Sequence, residues 1–230
     1  MLKCGFAPYI ECSSKGYKPL SAFYARINGR GGKTIEEIYQ AAKIFEDGST
    51  GLDWKAAKGK KPVNHEYVSD LYQELWEEYF KENPELYRVI ERYQGFSDMF
   101  GQKGHNCQAS AIYKIWVKYS IRNLYKIAEK YEHLMVLKKD MKPGDVYCGR
   151  PGKWGNSFSC LQNSTGAVLV DSVEASVAHY RYKIIQDMKN DPGLKDMIIK
   201  ELRGKRLACF CKGKNICHTT VLLAIANETW

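Results

Sequence analysis

The sequence predicts an α/β (α+β) protein: a mainly helical N-terminal domain with a small sheet over residues 1–137, then a small α/β three-layer C-terminal domain over residues 138–230. Three observations predict it. Apolar residues at 3- and 4-residue spacing crowd the stretch from Thr34 to Leu137, the signature of packed amphipathic helices. Beyond Lys142-Pro143-Gly144, short apolar runs alternate with helical patterns, which argues for a small parallel sheet covered by helices. The charge changes too: residues 1–137 carry 20 basic and 17 acidic side chains, residues 138–230 carry 15 and 9, within a formal net charge of +9.

At 230 residues the chain can bury one large core or two small ones. It has no apolar run of about 18 residues, so a membrane span is not expected. Met1-Leu2-Lys3-Cys4-Gly5 opens no long apolar segment of the secretory kind. The eight cysteines are therefore expected as reduced thiols in a cytoplasm. The basic excess suits an anionic partner: a nucleotide or nucleoside small molecule, with nucleic acid as a further partner. The oligomeric state is not legible.

In chain order, Tyr9-Ile10-Glu11-Cys12 reads as a strand and Ser13–Gly16 as a turn. Leu20–Arg26 resumes the strand or passes into a loop. Asn28-Gly29-Arg30-Gly31-Gly32 either cradles a phosphate or simply connects. Thr34 caps a helix with Glu36 and Glu37 in its first turn, where carboxylates favour the positive end of the dipole; the helix is expected to end near Glu46-Asp47-Gly48. Ile35, Ile38, Ala42 and Phe45 make its apolar stripe. Glu36, Tyr39, Gln40 and Lys43 share another face: a carboxylate, a phenol, an amide and an amine side by side. Behind it, Trp54 is a stacking platform or a core anchor, and Lys55–Lys61 a phosphate-facing patch or a solvated loop.

His65–Glu82 is a long amphipathic helix, broken at Asn83-Pro84, with Asn83 as cap of the next helix. Gly95–Asn106 reads as a glycine-punctuated loop holding Asp98, His105 and Asn106. A long helix from about Cys107 to Leu137, breaking near Ser120, is expected to link the halves. In the second half, strands at Asp145–Gly149 and Arg206–Cys211 each run into a polar loop, where ligands of parallel sheets collect. Helices are expected at Ser172–Met188, Leu194–Leu202 and Cys217–Ala226, with Asp171 or Ser172 as the cap of the first.

The N-terminal motifs resemble the NADAR family. Leu20-Ser21-Ala22-Phe23-Tyr24 looks like its Leu-Ser-Asn-Phe-Tyr, with Ala22 departing. Thr34-Ile35-Glu36-Glu37-Ile38-Tyr39-Gln40-Ala41-Ala42-Lys43 looks like its Thr-Val-Glu-His-x-Tyr-Gln-Ala-x-Lys, with Glu37 in place of His. Asp53-Trp54 is similar to its Asp-Trp, and Asp98-x-Phe100-Gly101 with Gly104-His105-Asn106 to its closing motif, with Phe100 in place of Trp. The resemblance covers roughly residues 8–115 and implies chemistry on ADP-ribose-type and related N-glycosides. By it, Glu36 is the catalytic carboxylate, Trp54 stacks on a base, Lys43 approaches phosphate or ribose, and Asp98 and Asn106 hold ribose hydroxyls. Breaking a C1′–N bond passes through an oxocarbenium-like state that a carboxylate can stabilise.

The second half resembles the uncharacterised DUF4326 family over about residues 144–228. The resemblance rests on Gly149-Arg150-Pro151-Gly152-Lys153-Trp154-Gly155-Asn156-Ser157-Phe158, Leu202-Arg203-Gly204 with Leu207-Ala208-Cys209-Phe210-Cys211, and Cys217-His218; Ser157 replaces a proline. That family name carries no activity. Arg150, Lys153 and Trp154 together suit a phosphate and a base, with Asn156 beside them. Cys209, Cys211, Cys217 and His218 support three readings. One is a zinc site, for which the spacing looks poor because Cys217 and His218 are adjacent. Another is a low-pKa thiolate at Cys217. The third, favoured by the spacing, is thiols that pack while His218 and Arg150 face a ligand; on it the chain holds no cofactor.

The functional expectation is an N-glycoside hydrolase or transglycosylase acting on a nucleotide, ADP-ribose-type or modified-nucleobase substrate. The alternatives are a non-catalytic nucleotide-binding or sequestering protein, as a phage or defence factor would be, and a DNA-binding or DNA-modifying protein.

Overall fold

A computed structural model describes residues 2–99, 107–211 and 216–227. The fold is mixed α/β with a helical N-terminal part. The chain divides into two compact units, Met1–Trp116 and Val117–Trp230. No helix among the described residues is long and apolar enough to cross a membrane.

The first unit opens with β1 (Leu2–Gly5) and β2 (Tyr9–Glu11), followed by the two-residue strands β3 (Arg26–Ile27) and β4 (Lys33–Thr34), which pair antiparallel. Then come α1 (Ile35–Ala41), α2 (His65–Glu82), α3 (Glu85–Ile90), β5 (Gly95–Asp98) and α4 (Gln108–Ile121), in which the division between the units falls. β5 is the middle strand of a sheet, antiparallel to β1 and parallel to β2. The reading of Gly95–Asp98 as loop is thus corrected. Glycine, serine and aspartate are poor strand formers, yet a strand flanked on both edges is held by its ladder and its burial. Gly95 is needed there: a Cβ would lie 2.4 Å from the Phe6 carbonyl oxygen and from the Tyr9 ring.

α2 has the bounds that its periodicity predicts. Leu75, Trp76 and Phe80 on its inner face are completely buried, with Phe96 of β5 and Ile112 of α4. Asn83 ends α2 rather than starting α3: its amide Nδ2 donates to the Tyr79 carbonyl at 2.8 Å, and Pro84 takes the cap position of α3. α1 stops at Ala41, five residues short of Glu46, and Ile44 instead bridges to Thr50.

The expected long helix from Cys107 to Leu137 is instead α4, followed in the second unit by α5 (Leu124–Lys130) and the strand β6 (Met135–Leu137). There follow β7 (Val146–Tyr147), β8 (Phe158–Ser159), β9 (Val168–Leu169), α6 (Val173–Asn190), α7 (Gly193–Leu202), β10 (Leu207–Cys209) and α8 (His218–Asn227). β10 lies between β6 and β7, parallel to both, and β8 pairs parallel with β9. All three β10 residues are buried, as the central strand of a covered parallel sheet requires. Val221 to Ala226 of α8 are apolar and completely buried, so α8 is a core helix and packs on α5, α6, α7 and β10. Ser172 caps α6: its Oγ accepts from the Ala175 amide at 3.0 Å.

Candidate functional site

In the first unit, Glu36 is built into place from three directions. Its amide donates to the Ala22 carbonyl at 3.0 Å, and the residue before it is pinned by the Ile35 amide on the Ala25 carbonyl at 2.9 Å. Ala22 is in turn fixed by its own amide donating to Oε1 of Gln108 at 2.8 Å. On the side chain, Gln40 Nε2 donates to Glu36 Oε1 at 2.7 Å, the helical i, i+4 pairing. Thr34 and Glu37 complete a capping box: Glu37 Oε2 accepts from the Thr34 amide at 2.7 Å, and Thr34 Oγ1 from the Glu37 amide at 3.1 Å.

A cavity of about 910 Å³ opens over this helix. Glu36, Tyr39, Gln40, Lys43 and Trp54, which the sequence singles out, all line it. So do Phe23, Lys58, Lys60, Lys61, His65, Tyr72 and Gln108. Trp54 is 48% exposed, with Phe23 edge-on to it at 6.2 Å between centroids, so it is a rim residue and not a core anchor. The Lys43 ammonium sits 4.1 Å over the Tyr39 ring. Burial pushes the Glu36 carboxyl above its ordinary range, against the pull of the Gln40 hydrogen bond and of Lys43. Burial also lowers the Lys43 ammonium, against the pull of Glu36. Glu37 moves the other way, lowered by the Thr34 hydrogen bonds.

Asp98 is completely buried in β5 and is not among the described residues lining the cavity; its charge adds to the upward push on Glu36. Asn106 and His105 lie outside the described residues. Gln108 is a participant that sequence reasoning missed. It is 2% exposed, its Oε1 holds Ala22, and its Nε2 has no hydrogen-bond partner among the described residues; Gln40 Oε1 is in the same state. A glutamine at the start of an otherwise apolar helix face (Ala111, Ile112) was the available signal.

In the second unit the loop after β7 and the described residues just beyond β10 and before α8 lie at the carboxyl ends of the sheet, where ligands of parallel sheets collect. They enclose a cavity of about 640 Å³ lined by Gly149, Arg150, Asn156, Phe158, Cys209 to Cys211, Cys217 and His218. Arg150 and Asn156 also hold the loop together. Arg150 Nη1 donates to the Asn156 carbonyl at 2.5 Å, and Asn156 Nδ2 to Ser176 Oγ at 2.9 Å. Lys153 and Trp154 stand apart from them, beside a separate small cavity of about 150 Å³ with Tyr180 and Leu194. Lys153 pairs with Glu201 at 2.6 Å and lies 4.5 Å over the Trp154 ring. The expected grouping of Arg150, Lys153 and Trp154 is therefore split: the chain turns at Gly152 and Gly155, with the Gly155 amide on the Gly152 carbonyl at 2.9 Å.

The arginine loop, the Cys-x-Cys strand end and the Cys-His helix start thus enclose one cavity. Residues 134–228 match the DUF4326 family model. Its description is a domain of unknown function. No curated protein and no solved structure matches the chain. The DUF4326 match does not extend into the first unit, where the resemblance rests on its motifs alone.

Within the DUF4326 part, Cys209, Cys211, Cys217 and His218 bring their ligand atoms within 4.8 Å of one another and could hold a metal ion. Adjacency in the chain is no obstacle, which corrects the expectation of poor spacing. Cys217 precedes α8 and His218 opens it, so their side chains converge, with Cys217 Sγ 3.4 Å from His218 Nδ1. Hydrogen bonds from the Cys209 and Cys211 thiols hold the Cys217 thiol well below its usual range, and Cys211 as donor is pushed up. Burial pushes the nearby Cys148 thiol up to about 12.

Proposed function

We propose that the first unit is an N-glycoside hydrolase or transglycosylase acting on a nucleotide of the ADP-ribose or modified-nucleobase type, with Glu36 as the catalytic carboxylate. The observation that carries this reading is the convergence of Glu36, Tyr39, Gln40, Lys43 and Trp54 on one cavity large enough for a nucleotide. Trp54 offers an aromatic face to a base at the rim. Lys58, Lys60 and Lys61 line the same cavity and suit the phosphates. Glu36, partly desolvated and oriented by Gln40, faces the sugar between them. As a carboxylate it stabilises positive charge developing at C1′ and takes a proton from the attacking water, while the C1′–N bond breaks and the base departs. An acceptor hydroxyl in place of water makes the same site a transglycosylase.

The test is incubation of the full chain with NAD, ADP-ribose and nucleosides, with released base followed by chromatography. Wild type is expected to release base. Glu36→Gln is expected to lower kcat by about 10²- to 10⁴-fold while substrate binding is retained. No release by wild type, with equal binding by wild type and Glu36→Gln, overturns the enzyme reading in favour of a sequestering protein.

A further inference from the structure

We propose that Cys209, Cys211, Cys217 and His218 form a zinc site, one ion held by the three Sγ atoms and by Nδ1 of His218. The inference is independent of the reading of the first unit.

The geometry of the ligand atoms comes first. Zinc–sulfur bonds of about 2.3 Å and zinc–nitrogen bonds of about 2.0 Å in a tetrahedron put ligand atoms about 3.5–3.8 Å apart. Here Cys209 Sγ is 3.3 Å from Cys211 Sγ, and His218 Nδ1 is 3.4 Å from Cys217 Sγ and 3.9 Å from Cys209 Sγ. The widest separation in the cluster is 4.8 Å. Shifts of about 1 Å or less, opening the Cys209–Cys211 pair and closing the widest separation, fit such a set to an ion.

The second observation fixes the histidine. His218 Nε2 lies 2.7 Å from the Cys148 carbonyl oxygen, which can only accept, so Nε2 carries the hydrogen. In the neutral ring Nδ1 is then the bare nitrogen, and it is the one that faces the thiols. A carbonyl behind the ring that sets the tautomer and aims the lone pair is the outer support that zinc-bound histidines use. The ring is also packed edge-on against Tyr180, centroids 5.2 Å apart.

The chemistry and the placement agree. Three thiolates and an imidazole select a soft or borderline cation over magnesium or calcium, and four protein ligands make a closed, structural site. Binding displaces to solvent whichever thiol protons the cluster still carries and leaves the ion with three thiolate charges and a neutral imidazole. Two ligands come from the end of β10 and two from the start of α8, so the ion ties the central strand to the core helix and forms part of the wall of the 640 Å³ cavity.

The full chain, purified without chelator, is assayed for metals by plasma mass spectrometry. The expected result is one zinc per chain in wild type and in Cys160→Ser, whose thiol lines the same cavity outside the cluster, and loss of the metal in Cys217→Ser and His218→Ala. Reconstitution of the unaltered chain with cobalt is expected to give the visible bands of a tetrahedral thiolate site together with thiolate-to-cobalt charge transfer. This measurement keeps the proposal testable if the ligand variants do not fold. Substoichiometric zinc, iron in its place, a Cys209–Cys211 disulfide in the freshly purified chain, or a cobalt spectrum without charge transfer overturns it.

Discussion

Glu36 and Glu37 are neighbours with opposite electrostatics, and the difference is one of hydrogen-bond partners. Glu37 is exposed and spends its carboxylate on the helix cap; Glu36 is turned into the cavity and desolvated. Glu37 stands where the resembling family has histidine, and here that position serves the Thr34 cap. Because the folded-state pKa of Glu36 is raised, its ionised form costs stability, a cost absent at acid pH and incurred as pH rises through the shifted value. Glu36→Gln is therefore expected to raise the melting temperature at neutral pH. The gain should vanish below about pH 4, where both states are protonated; thermal melts across that range check it. The same shift places the acid limb of kcat/KM for base release, which reports the free protein, above the ordinary glutamate value of about 4.3, because the carboxylate is the working form. A limb at or below that value would contradict the desolvation of Glu36.

At the scale of elements, much of what positions Glu36 was legible in the chain. The 3- and 4-residue spacings of α1 and α2 are local, so they survive folding unchanged. The Thr34 cap and its Glu37 partner follow the same logic. Thr34→Ala is expected to cost about 1 kcal/mol in urea denaturation, and Ser172→Ala at the start of α6 a similar amount. What was not legible depends on neighbours remote in sequence. β5 is polar and glycine-led, and only pairing with β1 and β2 makes it a strand. Gly95→Ala puts a methyl group against the Phe6 carbonyl and the Tyr9 ring and should destabilise by about 1–3 kcal/mol. The convergence of Cys217 and His218 with the β10 thiols was hidden for the same reason, since spacing along a chain does not report how a helix start is turned.

Across the whole molecule, the candidate chemistry divides between the two compact units. A glutamate site lies in Met1–Trp116 and a thiol–imidazole cluster in Val117–Trp230. Perturbations are expected to act on one unit at a time. In calorimetry, a strong chelator should lower the transition of the second unit and leave that of the first in place, whereas Glu36→Gln should shift the first alone. A single transition displaced by both treatments would mean that the units unfold as one body.

Trp54 has a photophysical consequence. Trp76, Trp116 and Trp154 are buried, while Trp54 stands at the cavity rim with half its surface in water. Among these four of the chain's five tryptophans, its indole should emit at the longest wavelength and be the one reached by an aqueous quencher; Trp230→Phe removes the fifth, which lies outside the described residues. A base stacked on it would shield it from the quencher and dim the red edge of the spectrum. The protein thus carries its own optical probe of occupancy, one that reads binding even in a variant that no longer turns over.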